Sequence, residues 1–144
     1  MTKVHKRRLL KLADFLENTV AKLPRKRFRM QDWAVDLKGE ALPHYSHPDP
    51  TPDCNTAACA LGWATAVFKD LVLIVREDSQ QYAYVVTKKH GAFGPSGEDL
   101  AVDFFGLDGH WDFEYLFGPE HGYRTAKQEA RIIRRYVEEC DANS

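Results

Sequence analysis

Histidines and cysteines crowd one part of this chain. In PHYSHPDPTPDCNTAAC, residues His44, His47, Cys54 and Cys59 follow one another as H-x2-H-x6-C-x4-C. Imidazole and thiolate are ligands that zinc accepts, so these four residues form a candidate metal set. The same segment offers a Cys–His nucleophilic pair. A Cys54 thiolate at a helix N-terminus would be stabilised, with His44 or His47 as its base. A Cys54–Cys59 disulfide fits poorly, because five residues of helix rise about 7.5 Å, beyond the ~4.4–6.8 Å usual between bridged Cα atoms. The plainest expectation is structural. Cys59 is a small buried hydrophobe pointing inward from an apolar helix, and Cys54 packs beneath a proline-rich loop. On that basis no catalytic residue, metal or cofactor is expected. Cys54, His44 and His47 are the alternative catalytic set, and the same three with Cys59 the alternative metal set.

Charge gives two further candidate surfaces. Residues 1–38 hold eleven Lys or Arg against four acids, whereas the remainder holds nine against seventeen. Arg7, Arg8, Arg25, Lys26, Arg27 and Arg29, with Phe28 and Trp33 nearby, suit phosphate contact and base stacking. Between residues 92 and 120 there are seven acids and no Lys or Arg. There Asp108, Asp112 and Glu114 surround Trp111, Phe113 and Tyr115, aromatics of the kind that anchor protein interfaces. Asp108, His110 and Asp112 also alternate closely enough to hold a cation. GAFGPSG, residues 91–97, lacks the lysine and hydroxyl of a phosphate-binding loop, so no nucleotide site follows from it.

The elements that position these residues are legible from periodicity. A chain of 144 residues, 44% hydrophobic and 28% charged, fits one folded domain. Residues 6–23 read as an amphipathic helix through Leu9, Leu12, Leu16 and Val20, ended by Pro24. The stretch 38–53 reads as a proline-rich loop or flap. A central helix is expected from Asp53, Asn55 or Thr56 to about Lys69, apolar around most of its circumference and therefore buried. Leu71–Arg76 and Tyr82–Thr87 suggest a hairpin. Ser96 with Asp99 opens a short helix stopped at Gly106, and HWDFEYLF forms another. Thr125 with Gln128 is a capping-box pattern opening a last helix with Ala126, Ala130, Ile133 and Val137 inward. The sum is a mainly α (α+β) domain of five to six helices with a small antiparallel hairpin, fraying over residues 1–5 and 141–144. Three cysteines, a charged start and no long apolar stretch point to a reduced cytoplasmic protein without a signal peptide or membrane span.

Several of these pieces together resemble a group of small, mostly uncharacterised bacterial and bacteriophage proteins. There a Cys–Gly–Thr…Cys…Gly pattern introduces the central helix, matched here by Cys54, Thr56, Cys59 and Gly62, with Asn55 in the place of the glycine. A Phe–Gly–Leu turn and a Leu–Phe segment precede the last helix, matched by Phe105, Gly106, Leu107, Leu116 and Phe117. The resemblance implies a phage or mobile-element accessory protein that acts by binding, and it brings no known reaction. A non-enzymatic binding or inhibitory module for a host or phage protein is therefore the leading expectation. Nucleic-acid binding through the basic N-terminal residues is the alternative.

Overall fold

The computed structural model describes residues 1–38, 45, 46, 48–51, 56–76 and 79–143, and side chains throughout these except at 35, 36, 45, 46, 75, 76 and 79–83. The first helix, α1 (Lys3–Asn18), begins three residues earlier than its apolar pattern. Thr2 caps it by accepting from the His5 N–H while the His5 ring reaches back to the Thr2 N–H. A 3-10 turn at Val20–Lys22 and a second at Arg25–Arg27 follow, the latter opened by Pro24.

Two short strands, β1 (Val35–Asp36) and β3 (Thr56–Ala57), pair antiparallel, and between them lies β2 (Tyr45–Ser46). The central helix starts later than expected. Residues 56–57 are a strand, and α2 (Ala60–Val67) is capped by Cys59, whose sulfur accepts from the Gly62 N–H at 3.4 Å. Thr56 does not serve as the cap, because the strand pairing to β1 holds Thr56 and Ala57 extended; Asp53 and Asn55 lie outside the described residues. As expected, α2 is enclosed, with Leu61, Trp63 and Ala64 fully buried. Gly62 is required for this: a Cβ there would lie 1.7 Å from the Trp33 carbonyl oxygen.

The hairpin forms from β4 (Leu71–Arg76) and β5 (Ser79–Thr87), in register Leu71↔Thr87 to Val75↔Ala83. It is larger than a hairpin, since β2 from the proline-rich stretch adds antiparallel to β4 as a third strand. The period-2 alternation sorts the sheet's two faces. Leu71, Leu73 and Val85 join the main core, while Val72, Ile74 and Val86 form a small cluster on the other side.

Helix α3 (Gly97–Phe105) starts at Ser96 without a side-chain capping bond, so the Ser96–Asp99 capping box does not form. It ends where Gly106 turns left-handed, φ +65°, beside the His5 ring. Helix α4 (His110–Phe117) matches its predicted span. The last helix, α5 (Ala126–Ala142), opens with the Thr125–Gln128 capping box and buries Ala126, Ala130, Ile133 and Val137. It packs antiparallel on the Leu9, Leu12, Ala13 and Leu16 face of α1. Lys6 pairs with Asp141 at one end, and Arg134 braces Glu17 and Asp14, the latter at 2.8 Å, toward the other. Among the described residues, no helix is long and apolar enough to cross a membrane.

Candidate interaction face

Helix α4 is divided lengthwise by its sequence. Phe113, Leu116 and Phe117 recur at three- and four-residue spacing and are buried against α3, Phe117 lying 5.5 Å from the Phe105 ring, so Phe113 is a core residue and not the exposed anchor expected of it. The opposite side carries Trp111, 83% exposed, and Tyr115, 41% exposed, four residues apart and hence neighbours on one face. Together they place an apolar strip in water along a helix.

Carboxylates frame it. The His110 ring stands edge-on to Trp111 at 5.7 Å. Its Nδ1 is hydrogen-bonded to Glu98 of α3, and its Nε2 lies 3.9 Å from Glu114. These contacts hold His110 toward the imidazolium, the Glu98 bond being the largest cause and the charges of Glu98, Glu114 and Glu120 adding to it. Glu114 is pushed up by desolvation and by sharing a hydrogen bond with Glu120, whose own carboxyl is lowered, chiefly by its backbone N–H. Glu98, His110 and Glu114 bring one ligand atom each within 4.8 Å of one another, a grouping that could hold a metal ion. Asp108 and Asp112 are not part of it. Asp112 instead accepts from the Tyr136 hydroxyl at 2.7 Å and from the Asp108 N–H at 3.3 Å, so it ties α4 to α5.

Beneath Tyr115 lies a pair that sequence reasoning missed. Arg124, 3% exposed, donates to the Tyr115 carbonyl at 2.8 Å and to Glu129 at 2.8 Å, and its guanidinium lies 5.8 Å from the Tyr115 ring. It thereby satisfies carbonyls at the C-terminal end of α4, where a cation is favoured. Glu129 is fully buried. Burial pushes its carboxyl up to about 8 against the pull of Arg124. Arg124 Nε and Glu129 Oε2 have no hydrogen-bond partner among the described residues. The signal available in sequence was weak, since an Arg five residues before a Glu at a helix start reads as ordinary surface.

The N-terminal basic residues are dispersed by the fold. Arg27 is buried, donating to the carbonyls of Thr51 at 3.0 Å and of Asp49 and Thr56. Arg8 lies over the Phe104 ring at 3.9 Å and donates to the Phe104 carbonyl. Arg25 donates to the carbonyls of Phe28 and Arg124, and Arg29 pairs with Asp32 at 3.0 Å. Arg7 and Lys26 are exposed.

Of the thiol and metal candidates, His44, His47 and Cys54 lie outside the described residues. Cys59 and Cys140 are free thiols. Cys59 sits at a helix N-terminus, yet complete burial raises its thiol to about 11; desolvation outweighs the backbone N–H groups that favour a thiolate. No protein-family model, no curated protein and no solved structure matches the chain.

Proposed function

We propose that this domain is a non-enzymatic binding module that docks a basic protein surface on the outer face of α4, in keeping with an accessory or inhibitory protein of a phage or mobile element acting on a host protein. The observation that carries this is Trp111. It is almost fully exposed on a helix whose inner side is locked into the core. Two χ angles give such an anchor a large contact area for little ordering cost, and buried Trp anchors dominate interface energies. Tyr115 extends the apolar strip. Asp108, Glu98, Glu114 and Glu120 supply a negative rim, and a partner rich in Lys or Arg is the complement that such a rim selects. Asp112 supports the face from behind through Tyr136.

The basic N-terminal set offers less to nucleic acid, since Arg8, Arg25, Arg27 and Arg29 already bond within the fold. The test is binding of a basic partner captured from host lysate, compared between the wild type and Trp111→Ala. Loss of a nuclease-resistant partner from the variant is expected. Equal retention by both would overturn the assignment.

A further inference from the structure

A second surface, distinct from the α4 face, carries charge of the opposite sign. Along α5, Lys127, Arg131 and Arg135 stand at i, i+4 and i+8, one exposed stripe with about 6 Å between steps. Like charges at that spacing repel, and Lys127 in the first turn also opposes the helix dipole. Other cations of this region are already engaged: Arg134 is paired with Asp14 and Glu17, and Arg124 is hydrogen-bonded to Glu129. None of the three has an acid within ion-pair distance among the described residues.

Beside the stripe lies a cleft of about 180 Å³ lined by Tyr123, Arg124, Gln128, Arg131, Ile132 and Arg135, with no acidic side chain among them. Tyr123, 72% exposed, is held at its rim. Arg25 donates to the Tyr123 and Arg124 carbonyls at 3.3 and 3.0 Å, and the His121 ring stands edge-on at 6.2 Å. The Gln128 amide oxygen is taken by the Thr125 N–H, which leaves its NH2 as a further donor. The larger cleft of about 470 Å³ near Arg8, Lys88 and Lys89 differs in this respect, because Asp70 and Asp103 line it as well.

We propose that the α5 stripe and Tyr123 bind a short single-stranded nucleic-acid segment, phosphates on Lys127, Arg131 and Arg135 and a base stacked on Tyr123. An exposed aromatic beside a row of unpaired cations is the arrangement that single strands recognise without sequence preference. The neighbouring acidic α4 face limits the contact to a few nucleotides and disfavours a duplex, whose charge density is higher.

The experiment is fluorescence anisotropy of the intact protein with labelled oligothymidylate and oligouridylate, over a salt series, against a duplex of equal length and unlabelled polyglutamate as competitor. Saturable single-strand binding is expected, its log–log salt slope close to −2, at about 0.7 per phosphate contacted. Arg131→Gln/Arg135→Gln keeps helix propensity and removes two charges. It should weaken binding at least tenfold and flatten the slope by about 1.4. Tyr123→Ala should weaken it severalfold and Tyr123→Phe should not, while Trp111→Ala should bind as the wild type does. The proposal is overturned by absence of saturable binding at low salt, by preference for duplex, or by a double variant that is folded by circular dichroism and binds within twofold of wild type. It is equally overturned if polyglutamate competes as well as oligonucleotide and Tyr123→Ala changes nothing, which marks a generic cationic surface.

Discussion

Two buried groups set the behaviour of single residues. Cys59 caps α2 with its sulfur while its thiol is raised to about 11, so the thiolate fraction near pH 8 is very small. Iodoacetamide at that pH should leave Cys59 unmodified in the native protein and modify it after denaturation, as read by tandem mass spectrometry. Cys59→Ser, a better cap in a dry site, should change stability by no more than about 1 kcal/mol. Glu129 behaves differently. Its folded pKa of about 8 lies above the ordinary 4.5. Between those values the native protein keeps a proton that the unfolded chain has released, so stability from this group falls as pH rises through the window. The loss is complete above about pH 8. Glu129→Gln should abolish that part of the pH dependence, making the Tm difference between wild type and variant move steadily in the variant's favour from pH 5 to 8. A constant difference would contradict the assignment. Glu129→Ala also removes the acceptor of a buried Arg124 and should cost about 3–5 kcal/mol.

At the scale of elements, close approach and periodicity decide. Gly62→Ala drives a methyl into the Trp33 carbonyl at 1.7 Å and the Ala58 side chain at 2.8 Å, so a loss of about 3 kcal/mol is expected in urea unfolding. Gly91→Ala, at φ +55° with nothing within 4 Å, should cost only the left-handed penalty of about 1–2 kcal/mol. On α4, Phe113→Ala should lose about 3–5 kcal/mol of stability. Trp111→Ala should change it by less than about 0.5 kcal/mol. What sequence revealed follows the same division. The inward faces of α1 and α5 were legible from three- and four-residue spacing, the span of α4 but not its inward face, and the hairpin from β-branched runs. The start of α2 was not, because pairing of Thr56 and Ala57 with β1 is a non-local contact that overrides the helical propensity of an alanine-rich segment. The addition of β2 to the sheet was hidden for a similar reason. Trp111 and Tyr115 could be singled out as candidate anchors from sequence and are exposed in the fold, whereas Glu98 beside His110 and Glu129 beside Arg124 depend on how α3, α4 and α5 meet.

Across the whole molecule, much of the basic N-terminal segment is consumed in construction. Lys6, together with Arg134 from the acidic remainder, braces α1 against α5, Arg27 gathers the carbonyls of Asp49, Thr51 and Thr56, and Arg25 holds the turn before α5. The exposed braces are worth only about 0.2–1 kcal/mol each and weaken with salt. The exposed side of α5 is a basic stripe, and that of α4 an acidic, aromatic face. The most direct test of α4 as the docking face is a quantitative affinity capture from nuclease-treated host lysate with wild type and Trp111→Ala, followed by titration of the captured protein. The account predicts a basic protein bound stoichiometrically by the wild type, with the variant weakened by about 2 kcal/mol or roughly thirtyfold and unchanged in thermal stability. Equal affinity of wild type and variant for that protein, or recovery of nothing that survives nuclease, would contradict it.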